Sequence, residues 1–281
     1  PKSRVLVTEC GSMGDPGTAR IDWLAWLDDE SLDLLLASED SAALALRERN
    51  CWLGRTRPHF LGHGTISQLT GLDNRVLLPP YIPVMRGEDR LFGDMVQFLH
   101  PGSLTLDQPW AVPHQPIPPR RWTDRDGRID VSEPFPHSGL NLPSRHPVTA
   151  PQGDLLQRFK RLAQVYEDLA GLDDETLLSR FHDLQIASRT ETYRQLTELR
   201  ESRSDAPAAW QAFLDDGLRR LDRELLSDPS EQTVTGYPAS LQGAELLAWW
   251  RDFWRQFALA LRAWPEIHLA ARRVLADKRS T

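Results

Sequence analysis

Gly71-Leu72-Asp73-Asn74-Arg75-Val76-Leu77-Leu78-Pro79-Pro80-Tyr81-Ile82-Pro83-Val84-Met85-Arg86-Gly87-Glu88-Asp89-Arg90-Leu91-Phe92-Gly93 is the stretch on which the reading of this chain turns. It opens with a glycine and an Asp-Asn pair, passes through an apolar run broken by three prolines, and sets two adjacent carboxylates before an amphipathic run. Pro79, Pro80 and Pro83 fix φ and remove backbone donors, so the middle reads as an extended or edge segment rather than an interior strand. From Glu88 onward Leu91, Phe92, Met95, Val96 and Leu99 recur at helical spacing, which predicts a helix with Glu88 and Asp89 in its cap or first turn. Free N–H groups and the positive end of the macrodipole stabilise a carboxylate there by roughly 0.3–1 kcal/mol. A well-capped helix is the plain structural reading of the pair; a helix start that presents acids to a ligand is the functional one.

Working outward, Arg4 to Cys10 reads as a short strand followed by a glycine-rich loop, Gly11-Ser12-Met13-Gly14-Asp15-Pro16-Gly17, where backbone could approach a ligand closely. Its letters complete neither a dinucleotide fingerprint nor a Walker motif. Apolar residues from Ala19 to Ala43 predict two short helices separated near Asp28 to Ser31. Arg47, Arg49, Arg55 and Arg57 surround Cys51 and Trp52, either as a solvated rim or as a phosphate- or carboxylate-binding cluster. His59 and His63 have the i, i+4 spacing of a zinc pair, but Pro58, Gly62 and Gly64 argue against the helix that such a pair requires.

Six prolines between Phe98 and Arg121 predict an irregular wrap with at most short strands, and His114 sits inside it. Residues 123–150 are rich in Asp, Gly, Pro and Ser and read as a linker or extended loop. Beyond them the pattern is helical: one helix through Leu155 to Leu169 ending near Gly171, a long or broken one from Leu177 to Leu199, a third from Trp210 to Leu225, and a fourth from Leu246 to Leu261. Pro265 is expected to divide the fourth from a short terminal helix. Short connections point to an antiparallel bundle.

At 281 residues with 40% hydrophobic content there is ample core for one or two domains. The net charge of −7 argues against a nucleic-acid or anionic-membrane surface, and neither partner is favoured. Two cysteines with no CxxC spacing read as reduced, buried thiols, which suits a cytoplasmic location, and no run is long and apolar enough for a membrane span. Ten tryptophans, four of them between Trp249 and Trp264, mark a large aromatic packing surface.

The ordered set Gly-Leu-Asp-Asn-Arg, Leu-Leu-Pro-Pro, Arg-Gly-Glu-Asp and Leu-Phe-Gly, with His114 in Ala111-Val112-Pro113-His114-Gln115-Pro116, resembles the acceptor-side half of bacterial glycosyltransferase-like proteins of the GT-A fold. The resemblance covers roughly residues 4–122. It implies an α/β fold, a partial GT-A-like mixed sheet with irregular Pro-rich segments in residues 1–125, to which composition and helical periodicity add a linker over 126–150 and an α-helical, bundle-like region over 151–281. It implies transfer of a sugar from a nucleotide-sugar to a carbohydrate or glycoconjugate acceptor, with Asp89 as catalytic base and Glu88 as the second candidate. Gly14, Asp15, Gly71, Asp73, Asn74, Arg75, Arg86 and Gly87 would line the substrate cleft, and His114 would help hold a divalent metal, Mn or Mg. Such enzymes carry an Asp-x-Asp after an earlier strand; here Asp124-Arg125-Asp126 has the letters but follows His114 and runs into a turn, so the resemblance implies the later half of a longer protein. The alternative is a non-catalytic binding or oligomerisation module, a degenerate transferase half whose aromatic-rich helices build a homo-oligomer.

Overall fold

The computed structural model describes residues 3–15, 27, 29–47, 51–62, 69–82, 88–117, 153–227, 238 and 240–279. Arg4–Gly14 forms a long strand, β1. Two short helices follow, α1 (Asp29–Leu35) and α2 (Glu39–Arg47), and then the short strands β2 (Cys51–Leu53), β3 (His59–Leu61) and β4 (Gly71–Leu72). The helix α3 (Glu88–Leu99) leads into β5 (Ser103–His114). Four helices complete the chain: α4 (Leu155–Ala170), α5 (Asp174–Ser202), α6 (Ala208–Leu226) and α7 (Gly243–Arg279).

The sheet is mixed, in the order β2-β1-β5-β3, with β4 also on β1. β1 and β5 run parallel from Arg4↔Ser103 to Gly14↔His114, while β2, β4 and β3 add antiparallel. β1 and β5 are joined by a crossover that includes α3, as a parallel pair requires. Phe92 and Val96 of α3 pack on Leu6 and Val7 of β1, whereas Leu91, Met95, Phe98 and Leu99 turn away from the sheet into the helical core. One helix thus joins the two layers, because apolar residues occupy both of its sides.

Two expectations about strands are corrected. β1 does not stop at Cys10 but continues through Gly11, Ser12 and Met13 to Gly14, so these residues are sheet and not a loop opening a helix. The Pro-rich interval holds a strand of 12 residues instead of a wrap. Pro109 is accommodated by an irregularity: Gln108 pairs with Cys10 and Ala111 with Gly11, leaving Pro109 and Trp110 as the extra residues of a bulge, where a missing N–H costs no ladder bond. Pro113 lies beyond the pairing with β3, which ends at Asp107, so among the described residues no strand on that side needs its N–H.

Among the helices, α1 and α2 are separated at Leu36 to Ser38, while the helix expected between Ala19 and Asp28 lies outside the described residues apart from Leu27. Ser38 Oγ accepts from the Ser41 N–H at 3.1 Å and caps α2. Asp154 and Gln157 make a reciprocal capping box at the start of α4, and Asp173 Oδ1 accepts the Thr176 N–H at 2.8 Å at the start of α5. α5 is unbroken over 29 residues. Pro265 does not end the last helix: α7 runs through it for 37 residues. The ring leaves the Leu261 carbonyl without its i+4 donor, a local loss that the packed turns before it offset.

The helices pack around two cores. Phe159, Leu162, Tyr166, Phe181, Trp250, Trp254 and Leu261 join the outer side of α3 in the larger core. Leu196, Trp210, Leu214 and Leu221 close over Leu32 of α1 in the smaller one. Arg203 pairs with Asp29 and Asp33, and the Ala208 N–H donates to Glu39 at 2.7 Å, tying α5 and α6 to α1 and α2. Trp250 and Trp254 are completely buried, and Trp249 and Trp264 pack partly buried against the same core. Among the described residues no helix is long and apolar enough to cross a membrane.

Candidate functional site

Glu88 and Asp89 occupy the first turn of α3, as their sequence position implies. Asp89 Oδ1 accepts the Arg90 N–H at 2.8 Å. The two carboxylates do not stand alone. Tyr81 lies on the same side, its ring stacked on Phe92 with centroids 4.0 Å apart and planes within 6°. Burial and the charges of Asp89, Glu88 and Glu9 push the Tyr81 phenol up to about 12. Glu9 projects from β1 and is buried.

Glu9 and Asp107 are register partners on the parallel strands β1 and β5. Gln97 of α3 donates to the Ser103 carbonyl at 3.1 Å and to Ser103 Oγ at 3.2 Å, which fixes Ser103, and by alternation Thr105 and Asp107, on the helix-facing side of β5. Burial raises the Asp107 carboxyl above the ordinary value, and the Arg55 guanidinium, 3.2 Å away, opposes that shift. A shelf of carboxylates therefore runs along the α3 side of the sheet, from Asp107 through Glu9 to the start of α3. The sequence reading did not single out Glu9, Tyr81 or Asp107. A signal existed for Glu9, a lone acid within the apolar run of β1.

The second element lies at the carboxyl ends of the two long strands. Gly14 pairs with His114. The Asp15 N–H donates to the His114 carbonyl at 2.7 Å, and the His114 Nδ1–H donates to the Asp15 carbonyl at 2.9 Å. The ring bond orients the imidazole with Nδ1–H toward the Asp15 carbonyl, and the residue is exposed. Gly14 has φ +102°, and a Cβ there would lie 2.6 Å from the His114 carbonyl oxygen. Only glycine allows this approach. The structure thus brings together Gly14, Asp15 and His114, which are separated by 99 residues between Asp15 and His114.

The remaining expected positions fall elsewhere. Gly71 pairs with Thr8, and a Cβ at Gly71 would meet Thr8 Oγ1 at 2.4 Å, so its smallness serves strand packing. The Asp73 N–H donates to the Leu6 carbonyl at 2.9 Å; its carboxylate accepts from Arg75 Nε at 2.8 Å and pairs with Arg4. These hydrogen bonds hold the Asp73 carboxyl well below the usual range, the Arg75 bond most of all. The Asn74 carbonyl accepts from Arg272 at 3.3 Å. Arg4 and Gly14 are opposite ends of β1, about 30 Å apart at strand rise, so Asp73, with Arg75 bonded to it, sits toward the other end of the sheet from His114, while Gly71 lies opposite Thr8 near the middle of β1. Arg86, Gly87 and His63 lie outside the described residues. His59 is on a strand, its Nδ1–H bonded to the Arg57 carbonyl at 2.7 Å. Arg55 and Arg57 are engaged by Asp107 and Glu30.

His114 Nε2 is suited to supply one metal ligand. Among the described residues, however, no group of three or more His, Cys, Asp and Glu side chains could hold an ion. No family model, curated protein or solved structure matches the chain.

Proposed function

We propose that the chain is the acceptor-side part of a glycosyltransferase that moves a sugar from a nucleotide-sugar to a carbohydrate or glycoconjugate acceptor. The observation that carries the reading is the placement of Asp89. It sits in the first turn of the helix that bridges sheet and helical layer, beside Glu88, Glu9 and Tyr81, on the face of the parallel pair β1 and β5. An acceptor hydroxyl attacking an anomeric carbon must shed its proton as the new C–O bond forms and the bond to the diphosphate oxygen breaks. A carboxylate within hydrogen-bond reach takes that proton, an effect worth typically 10²–10⁴ in rate. Asp89 is that base in this reading, with Glu88 as the second candidate.

In this reading His114, bonded to the Asp15 carbonyl at the carboxyl end of β1 and β5, faces the donor. A divalent cation, Mn or Mg, belongs to the same reading with His114 Nε2 as one ligand; the described residues do not complete its shell. The cytoplasm is the proposed compartment, supported by Cys10 being a buried free thiol.

The test is release of nucleoside diphosphate from a panel of nucleotide-sugars by the full-length native gene product that contains this chain. Asp89→Asn is expected to lower turnover by about 10²–10⁴ with unchanged thermal unfolding, and Glu88→Gln to lower it less. Retained turnover in Asp89→Asn removes it as the base. Absence of release with every donor removes the transferase reading.

A further inference from the structure

Asp73 is a sheltered carboxylate beneath exposed guanidinium groups. Its Oδ1 accepts the Arg75 N–H at 3.1 Å and Arg75 Nε at 2.8 Å, and its Oδ2 accepts Arg75 Nη2 at 3.0 Å and Arg4 Nη2. A carboxylate offers about four lone-pair sites, so those of Asp73 are all taken. The Asp73 side chain is 9% exposed, against 81% for Arg75 and 47% for Arg4. Arg272 of α7 reaches the same turn: its Nη1 donates to the Asn74 carbonyl at 3.3 Å, a bond that neutralises no charge, and the residue is exposed.

Three guanidiniums therefore gather on one turn, and among the described residues Asp73 is the only carboxylate paired with any of them. The local balance is positive on a chain whose net charge is −7. The excess continues inward. The half-buried His100 donates from Nε2–H to the Leu77 carbonyl at 2.9 Å; burial most of all, and then the charges of Arg158 and Arg4, hold its imidazole below the ordinary value. Arg158 in turn gives Nη1 to the Gly153 carbonyl at 2.8 Å, and its buried Nε has no partner among the described residues.

A guanidinium that spends one edge on a carboxylate is held in place and keeps further donors for a second anion. A single carboxylate ligand would bring one negative charge. A phosphomonoester brings about −1.5 to −2 and three acceptor oxygens on one centre, the closer match to three guanidiniums on one turn. We propose that Arg4, Arg75 and Arg272 bind the phosphate group of a small soluble phosphomonoester, with Asp73 orienting Arg4 and Arg75 from beneath. The site lies toward the amino end of β1, away from His114, and stands independently of the transferase reading.

The experiment is calorimetric titration of the full chain with inorganic phosphate at a constant ionic strength of about 0.15 M, with chloride as the exchanged anion. Saturable binding is expected. Each charge-assisted contact removed should weaken it about tenfold, so Arg272→Gln and Arg4→Gln should each bind about tenfold more weakly and the double variant about 100-fold. Arg194→Gln, which alters an exposed arginine paired with Glu191 and Glu198 on α5, should change nothing. Thermal unfolding without phosphate shows that each variant is folded. The proposal is overturned if the folded chain gives no saturable binding, or if neither Arg272→Gln nor Arg4→Gln weakens it. It is also overturned if the chain sediments with vesicles carrying phosphatidic acid yet ignores free phosphate.

Discussion

Gly14→Ala tests whether the junction of β1 and β5 is held as tightly as its geometry states. Two separate costs apply. The backbone at position 14 has φ +102°, a conformation that costs an L-residue roughly 1–2 kcal/mol. The new Cβ would also stand 2.6 Å from the His114 carbonyl oxygen and 3.2 Å from Gln115 Cγ. The first of these atoms is backbone, already bonded to the Asp15 N–H, so it cannot yield without opening that bond; forced overpacking of this kind costs about 1–3 kcal/mol. The sum is about 2–5 kcal/mol. Gly102→Ala provides the control, because Gly102 also has positive φ, +81°, but nothing lies within 4 Å of its Cβ position. That variant should lose only the backbone term, about 1–2 kcal/mol. Urea unfolding of both measures the difference, and nitrogen-15 chemical shifts of His114 report its tautomer. Gly14→Ala should be the less stable by about 1–3 kcal/mol and should lose the fixed Nδ1–H form. Equal stability of the two variants, or an unchanged His114 tautomer in Gly14→Ala, would refute the close-approach argument.

The remaining expectations concern the cluster at the other end of β1 and the larger core. The folded-state pKa of Asp73 is depressed, so the stability it contributes is present above the unfolded value of about 3.9 and is lost as pH falls through the lower folded one. Asp73→Asn should therefore lower Tm at pH 7 while showing a smaller further drop between about pH 5 and pH 3 than the parent protein; parallel profiles would show that Asp73 is not part of the acid limb. Tyr166 is fully buried against Phe257, and its hydroxyl has no partner among the described residues. Tyr166→Phe should accordingly be neutral or stabilising by up to about 1 kcal/mol in urea unfolding, and a loss above about 1 kcal/mol would mean that the hydroxyl is bonded.

The parts of the fold that were legible were those where one local rule acts without competition. Leu91, Phe92, Met95, Val96 and Leu99 gave α3 its period, and all five are buried in the structure. What periodicity could not assign was which neighbour each one meets. Phe92 and Val96 go to the sheet and the other three to the helices, a division that depends on elements far away in sequence. Proline misled for a related reason. A missing N–H forbids a strand only where a neighbour needs that donor, and at Pro109 a bulge removes the need. At Pro265 the lost bond is one among the many of a helix already anchored by Trp250, Trp254 and Leu261, so the backbone rule for a single residue is outweighed by packing on the turns before it.

The candidate site shows the same limit more sharply. Glu88 and Asp89 were visible because a helix start attracts acids, whereas Glu9 and Asp107 became part of the same surface only through the register of two strands about a hundred residues apart. Parallel pairing fixes which side chains share a face, and no spacing within either strand announces it. The direction of the strands then separates two regions that the linear order mixes. Gly71 to Arg75 lies near Asp89 in sequence yet is fastened by Asp73 to Arg4 and Leu6 at the start of β1, whereas His114 is fastened to Asp15 at its end. A ligand that contacts Asp89 and His114 would therefore run along the carboxyl half of β1 and β5, past Glu9, and away from Asp73. In this geometry Arg75 serves the turn that anchors β4, because its guanidinium is committed to the Asp73 carboxylate.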